Sequence, residues 1–483
     1  MKPRILLVNP PIYDFAAYDF WLKPYGMLSI AGFLRDKADF TLFDYLDRTH
    51  PFMTADEELK GDQWGRGRFN EQKIPPPACL EHIPRFFRRF GLPRQFFIDF
   101  LKNNPPADFV LIQTMMTYWY PGIKEVIEDI RNCWPDTKII LGGNYVTVCP
   151  DHAKTLGADS LITGIDLQPL WQYLHLEPDL TQPSAWEIYP KLNTGVLKLT
   201  QGCPFNCTYC SVPKIYREFV PRSLERSIAE LELLVKLGAQ NIAFYDDALI
   251  FNPELVFIPF LETVLNRGIK VEPHTLKGAT PPHTSAKPAE ASSFAKASED
   301  YPFRIHPRLN NRGFLRRRAN FHTPNALNAR FITKDLADLM VRAGFKTFYL
   351  GFESTSQDWQ KQTGSKVYSE ELAQAVGHLK TAGANPLEIT AYQILGHPHS
   401  DLQQIELSMH FVNSLGIRGM LADFSPIPGT PDGELCRKWV NLDEPLMHNK
   451  TTFPIILLGN DEVNHLKDLQ RKLNRNIAGQ NTV

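Results

Sequence analysis

Short apolar runs rich in Val, Ile and Leu recur along this chain, separated by stretches whose apolar positions repeat at helical spacing. Residues 4–10 form the first run, which stops at Asn9-Pro10-Pro11. Residues 40–43, 109–114, 138–143 and 158–164 read as four more strands, with helical stretches at 25–34 and 123–133. Strands alternating with helices predict an α/β fold, here a doubly wound parallel sheet over residues 1–165. Ligands of such sheets sit beyond the carboxyl ends of the strands. Those ends are Asn9-Pro10-Pro11, Gln113-Thr114 and Gly142-Gly143-Asn144. The basic, aromatic run Arg85-Phe86-Phe87-Arg88-Arg89-Phe90 is expected to be a helix with one core side and one solvated side.

After a linker at 166–193 the alternation resumes. Residues 194–200 read as a strand and 223–237 as an amphipathic helix stopped by Gly238. The next strand ends in Asp246-Asp247, a later one in Gly351-Phe352-Glu353-Ser354, and another in Leu395-Gly396-His397-Pro398. Polar residues placed repeatedly at strand ends are how a barrel builds an active face. His397 and His399 flank Pro398 and are read as turn or rim residues. Between 276 and 319 the sequence is low in complexity, and His-Thr occurs on both sides, at His274-Thr275 and His322-Thr323. This predicts an insertion of about 45 residues at the third barrel strand, of a composition that buries too little apolar surface to order itself. The barrel domain is placed at 194–430 and a C-terminal extension at 431–483, with a helical tail at 460–476.

Composition narrows the class. With 483 residues, 43% hydrophobic and 22% charged, the chain has the make-up of an ordinary globular protein of two or three domains. A net charge of −1 gives no reason to expect a nucleic acid or an anionic membrane as partner. No apolar run approaches the ~20 residues of a membrane span. Seven cysteines, an odd number with three clustered, argue against a disulfide framework and for a reducing, cytoplasmic setting.

Those three cysteines carry the chemistry. The loop Cys203-Pro204-Phe205-Asn206-Cys207-Thr208-Tyr209-Cys210 follows a strand and has the spacing Cys-x3-Cys-x2-Cys. Three thiolates from one loop can hold three irons of a [4Fe–4S] cluster, where full protein ligation takes four. The fourth iron would be open to a small molecule. A zinc loop would want a further ligand, typically from a second Cys/His pair, and Cys436 is the sole later cysteine.

In this loop, with an aromatic residue before the last cysteine, the chain resembles the radical S-adenosylmethionine (SAM) enzymes. The resemblance covers about residues 194–430 and implies a partial (β/α)6 barrel of TIM type. It implies that Cys203, Cys207 and Cys210 hold the cluster and that SAM binds the open iron. Reductive cleavage of SAM would then give a 5′-deoxyadenosyl radical. By the same resemblance Tyr209, Asp246, Asp247, Gly351, Glu353, Ser354 and Gly396 would surround SAM.

The N-terminal pattern of Asn9-Pro10-Pro11, Pro24-Tyr25-Gly26-Met27 and Gly142-Gly143-Asn144 resembles the cobalamin-binding, Rossmann-like domain that precedes many radical SAM cores. Asn9, Pro10, Pro11, Gln113, Thr114, Gly142, Gly143 and Asn144 would then face cobalamin. The Asp-x-His-x-x-Gly signature of a lower histidine ligand is absent, since Asp47-Arg48-Thr49-His50 and Asp151-His152 have other spacings. The resemblance implies C-methylation of an unactivated carbon on a small-molecule or peptide substrate, with a reductant such as flavodoxin or ferredoxin. Cyclisation or rearrangement, and a non-catalytic cofactor-binding sensor, remain open alternatives. Methyl transfer requires that Asn9 to Pro11 and Gly142 to Asn144 face the open end of the barrel.

Overall fold

The computed structural model describes residues 2–216, 218–268 and 319–480. The insertion expected at about 276–319 lies, apart from Ala319, outside the described residues. Eight strands belong to the N-terminal part: β1 (Arg4–Asn9), β2 (Ile12–Asp14), β3 (Asp39–Asp44), β4 (Glu71–Lys73), β5 (Arg88–Phe90), β6 (Phe109–Thr114), β7 (Lys138–Gly143) and β8 (Ser160–Ile162). Five of them form a parallel sheet in the order β3-β1-β6-β7-β8. Strand order therefore reverses between β1 and β6, the place where doubly wound sheets bind ligands. Buried positions on both faces explain the near-continuous apolar runs, such as Ile5 to Val8 and Val110 to Ile112.

The basic, aromatic run departs from its expected helix. Arg88–Phe90 is the central strand of a small antiparallel sheet, paired with β2 and β4. Tertiary pairing overrides the local reading. Arg89 turns inward, where its guanidinium meets Glu125 at 2.7 Å, and Phe90 is buried.

The second sheet contains β9 (Thr194–Leu197), β12 (Asn241–Phe244), β13 (Asn320–Asn328), β14 (Phe345–Glu353), β15 (Ile389–Leu395) and β16 (Arg418–Asp423). A separate pair, β10 (Thr200–Gln201) and β11 (Val220–Pro221), flanks the cysteine loop. The six barrel strands are all parallel and hydrogen-bonded in sequence order, from β9 at one edge to β16 at the other. Helices return the chain between strands, capped by side chains such as Ser223 and Thr333 and ended by Gly344 in the left-handed region. On the outer face Phe244 packs among Phe257, Phe260, Phe321 and Phe345.

The barrel's floor, at the amino ends of its strands, is closed by the N-terminal part. Trp21 is fully buried and stacks on His322 at 4.4 Å, and its indole donates to the Trp64 carbonyl. Trp64 donates to Glu388 and Arg66 to the Tyr349 hydroxyl, while His322 itself bridges Asn241 and Thr347. The C-terminal extension packs on the segment after β6 and on the end of β2. His448 and Asn449, both fully buried, bond Thr117 and Asp14. Its last helix, Asn460–Gln480, packs on β16. None of the described helices is long and apolar enough to cross a membrane.

Candidate active site

The cysteine loop sits at the mouth of the barrel, just past β9, and several neighbours fix its shape. Gly202 has a positive φ of 79° and lies so close to the Glu218 carbonyl that a Cβ would collide with it. Phe205 packs between the rings of Phe251 and Phe331. Gly364, at φ 110°, brings its turn against Cys207. Cys207 is buried, and Cys203 and Cys210 are partly so. Burial raises all three thiols, that of Cys210 to about 12. Among the described residues no three His, Cys, Asp or Glu side chains converge on one ion position. Three thiolates from one loop can hold three irons of a cluster, whereas a structural zinc takes four ligands.

Carboxylates from neighbouring strand ends surround the loop. Asp246 is buried, and its Oδ1 accepts from the backbone of Leu199 and Thr200 and from the Thr200 hydroxyl. It therefore ties the end of β12 to the approach of the cysteine loop. Burial raises its pKa to about 6, against the pull of Thr200 and Lys198. The Oδ2 atoms of Asp246 and Asp247 are both buried without a hydrogen-bond donor. Lys198 approaches Asp247 Oδ2 at 3.6 Å, an ion-pair distance.

Glu353 ends β14 with a positive φ of 73°, a strained conformation for a residue with a side chain. Its carboxylate holds Lys366 at 3.0 Å. A Cβ at Gly351 would come within 2.8 Å of that ammonium, so the glycine makes the passage for Lys366. Burial opposes the charge on Lys366, yet Glu353 and the nearby thiols hold its pKa above the ordinary value. Glu353 and Ser354 also line a polar cleft of about 110 Å³ with Trp359, Ile394, Ser400, Asp401 and Gln404. Gly396 takes another part: its φ is 80°, and Pro454 of the C-terminal extension fills the space beside it.

Tyr209 stacks on Trp359 at 6.0 Å and meets His397 edge-on. His397 opens a turn closed by the Ser400 N–H on its carbonyl, and its side chain is fully buried instead of lying at the rim. Its Nδ1 accepts from the Trp359 indole and the His399 backbone N–H, which leaves the proton on Nε2 to donate to Asp432 at 2.8 Å. The sequence did not point to Lys198, Lys366, Trp359 or Asp432. Each lies on a different segment, and none belongs to a spaced pattern.

At the N-terminal sheet the expected residues divide. Gly143 and Asn144 are exposed, Gln113 and Gly142 half-buried, and a Cβ on Gly142 would meet Ile162 only at 3.9 Å. The helix Asn144–Val148 packs against Val212–Ile215, directly after Cys210, so this strand end adjoins the mouth of the barrel. Thr114 is buried and donates to the Gly142 carbonyl. Asn9, Pro10 and Pro11 are also buried. The Asn9 amide is spent on Asp44 at 2.7 Å, and the Pro11 carbonyl lies against Gly122.

Residues 197–412 match the family model of the radical SAM superfamily. Among curated proteins, the ribosomal protein uS12 methylthiotransferase RimO of Pelobacter propionicus is 26% identical over 147 residues, 30% of this chain and 31% of the relative. The hopanoid C-2 methylase of Rhodopseudomonas palustris is 29% identical over 139 residues, 24% of this chain and 26% of that protein. The matched region thus spans under a third of these relatives' lengths. Among solved structures, the radical S-adenosylmethionine methyltransferase TsrM of Kitasatospora setae, with cobalamin and a [4Fe-4S] cluster bound, has a TM-score of 0.61 at 13% identity. That likeness, of fold, covers 97% of this chain and 91% of TsrM.

Proposed function

We propose that this chain, which belongs to the radical SAM superfamily through residues 197–412, is a cobalamin-dependent enzyme that methylates an unactivated carbon. One observation carries the reading. Three thiolates on one loop stand beside the buried carboxylates of Asp246 and Asp247, where Asp246 Oδ2 has no donor and Asp247 Oδ2 meets only Lys198 at 3.6 Å. Cys203, Cys207 and Cys210 would hold the cluster. These oxygens would accept from the ammonium or ribose hydroxyls of SAM, groups that need such acceptors. Glu353 and Ser354 would contact SAM from the polar cleft they line. Together these cofactors, when bound, supply a 5′-deoxyadenosyl radical and a methyl group.

Everything else falls to the protein. Lys366 fixes the Glu353 carboxylate, and Asp246 fixes the strand end that launches the cysteine loop. For cobalamin the fitting surface is the open end of β6 and β7, at Gln113, Gly142, Gly143 and Asn144. It adjoins the helix after Cys210, and glycine backbone lets a flat macrocycle lie close. The floor of Trp21, Trp64 and Arg66 shuts water out from below. A small molecule or peptide would enter at the mouth, and a one-electron reductant such as flavodoxin or ferredoxin would serve the cluster.

The test is anaerobic reconstitution with iron and sulfide, then an assay for 5′-deoxyadenosine from SAM with dithionite, beside Cys203→Ala. Formation that vanishes in the variant is the expected result, and with methylcobalamin and substrate the product gains the mass of one methyl group. An assembled cluster that yields no deoxyadenosine would replace this reading with a non-catalytic sensor. A product that has lost hydrogens would replace methylation with ring closure.

A further inference from the structure

Thr208 lies between two of the cluster cysteines and is held by a residue far along the chain. Its hydroxyl donates to Asp432 Oδ2 at 2.5 Å, and its carbonyl accepts from the Asp432 backbone N–H at 3.2 Å. The same Oδ2 receives the Nε2 proton of His397, whose ring is oriented from behind by Trp359 and by the His399 backbone. Trp359 in turn stacks on Tyr209, next to Cys210. The contacts form a closed circuit from the cysteine loop to the C-terminal extension, the end of β15, the helix after β14, and back to the loop.

We infer that Asp432 and His397 are positioning residues for the cluster: the carboxylate clamps the Cys207–Cys210 segment, and the buried imidazole holds the carboxylate. The inference rests on the cluster reading above. Two effects follow from general principles. Partners behind a ligand set its orientation, and their loss typically costs about 10–100-fold in metal affinity or activity. Charge and hydrogen bonds around a cluster also set its reduction potential. A carboxylate bonded to the ligand loop opposes the added electron, so removing its charge raises the potential. The circuit further makes the mouth sensitive to the C-terminal extension, since Asp432 reaches the loop from beyond the last barrel strand.

The experiment compares reconstituted wild type with Asp432→Asn, Thr208→Val and Thr208→Ser, by EPR-monitored redox titration and by deoxyadenosine formation. Asp432→Asn is expected to hold a cluster of higher midpoint potential and to cleave SAM at least about tenfold more slowly. Thr208→Val, which removes the hydroxyl and no charge, is expected to broaden the cluster's EPR signal, and Thr208→Ser to restore it. Wild type that assembles no cluster would overturn the underlying reading. Wild type with a cluster, beside a Thr208→Val protein of identical EPR signal and rate, would overturn the positioning role alone. That second comparison stands even where Asp432→Asn fails to fold.

Discussion

At the floor of the barrel Trp21, Trp64 and Arg66 fill the space between strands, and the polar groups of His322, Asn241 and Thr347 answer one another. At the mouth, Asp246 buries an oxygen without a donor, Asp247 meets only Lys198 at 3.6 Å, and Glu353 sits in a strained backbone conformation. Both ends belong to the same six strands. The floor is complete with what the chain provides, whereas the mouth carries unmet hydrogen bonding and strain. Such departures from local satisfaction are expected where a site awaits a ligand.

The comparison can be broken first at the floor. Trp21→Ala empties a fully buried indole site and is expected to cost about 3–5 kcal/mol, measured by denaturant unfolding. A loss under about 1 kcal/mol would mean that the floor does not help hold the barrel together. A second expectation concerns His448, where the C-terminal extension meets the segment after β6. Burial above all lowers its pKa to about 4, against about 6.5 when unfolded. Between those values the unfolded chain takes up a proton that the folded chain refuses, so stability falls as the pH drops from about 6.5 to 4. The full effect is about 3 kcal/mol. Unfolding curves at both ends of that window should show it, and His448→Gln should flatten it; equal slopes for the two proteins would assign the acid sensitivity elsewhere.

The smallest effect on stability is expected at the mouth. In Gly351→Ala the new methyl meets the far end of a flexible lysine, so folding should change by less than about 1 kcal/mol. A small shift of Lys366 against Glu353 should nevertheless weaken SAM binding, read by equilibrium binding to the reconstituted protein. Unaltered affinity would remove Lys366 from the site. A floor variant that unfolds and a mouth variant that folds but does not bind would sharpen the contrast between the two ends.

How much of this was legible in the sequence depended on how local each signal was. The cysteine loop announces itself because three residues within eight positions carry the chemistry. The strands ending in Asp246-Asp247 and Glu353-Ser354 were legible because apolar runs stop there at polar residues. Asp432 was not, since it stands 224 positions from the Thr208 it binds. Lys366 was silent for a related reason: its meaning comes from the room left by Gly351. Arg85 to Phe90 misled because the pairing of Arg88–Phe90 with two other strands is invisible in the run itself. Asn9 to Pro11 marked a strand end correctly but not which neighbour would cover it.

The aromatic floor also bears on the order in which the molecule assembles. Arg66 and Tyr349 are 283 positions apart and Trp64 and Glu388 are 324 apart. The segment that closes the barrel therefore leaves the ribosome long before the strands it must meet. Contacts of such separation slow folding and leave apolar surface waiting in the meantime. During synthesis Trp21 and Trp64 are thus the natural footholds for a chaperone, and a chain that stalls before β14 and β15 would present them unpaired.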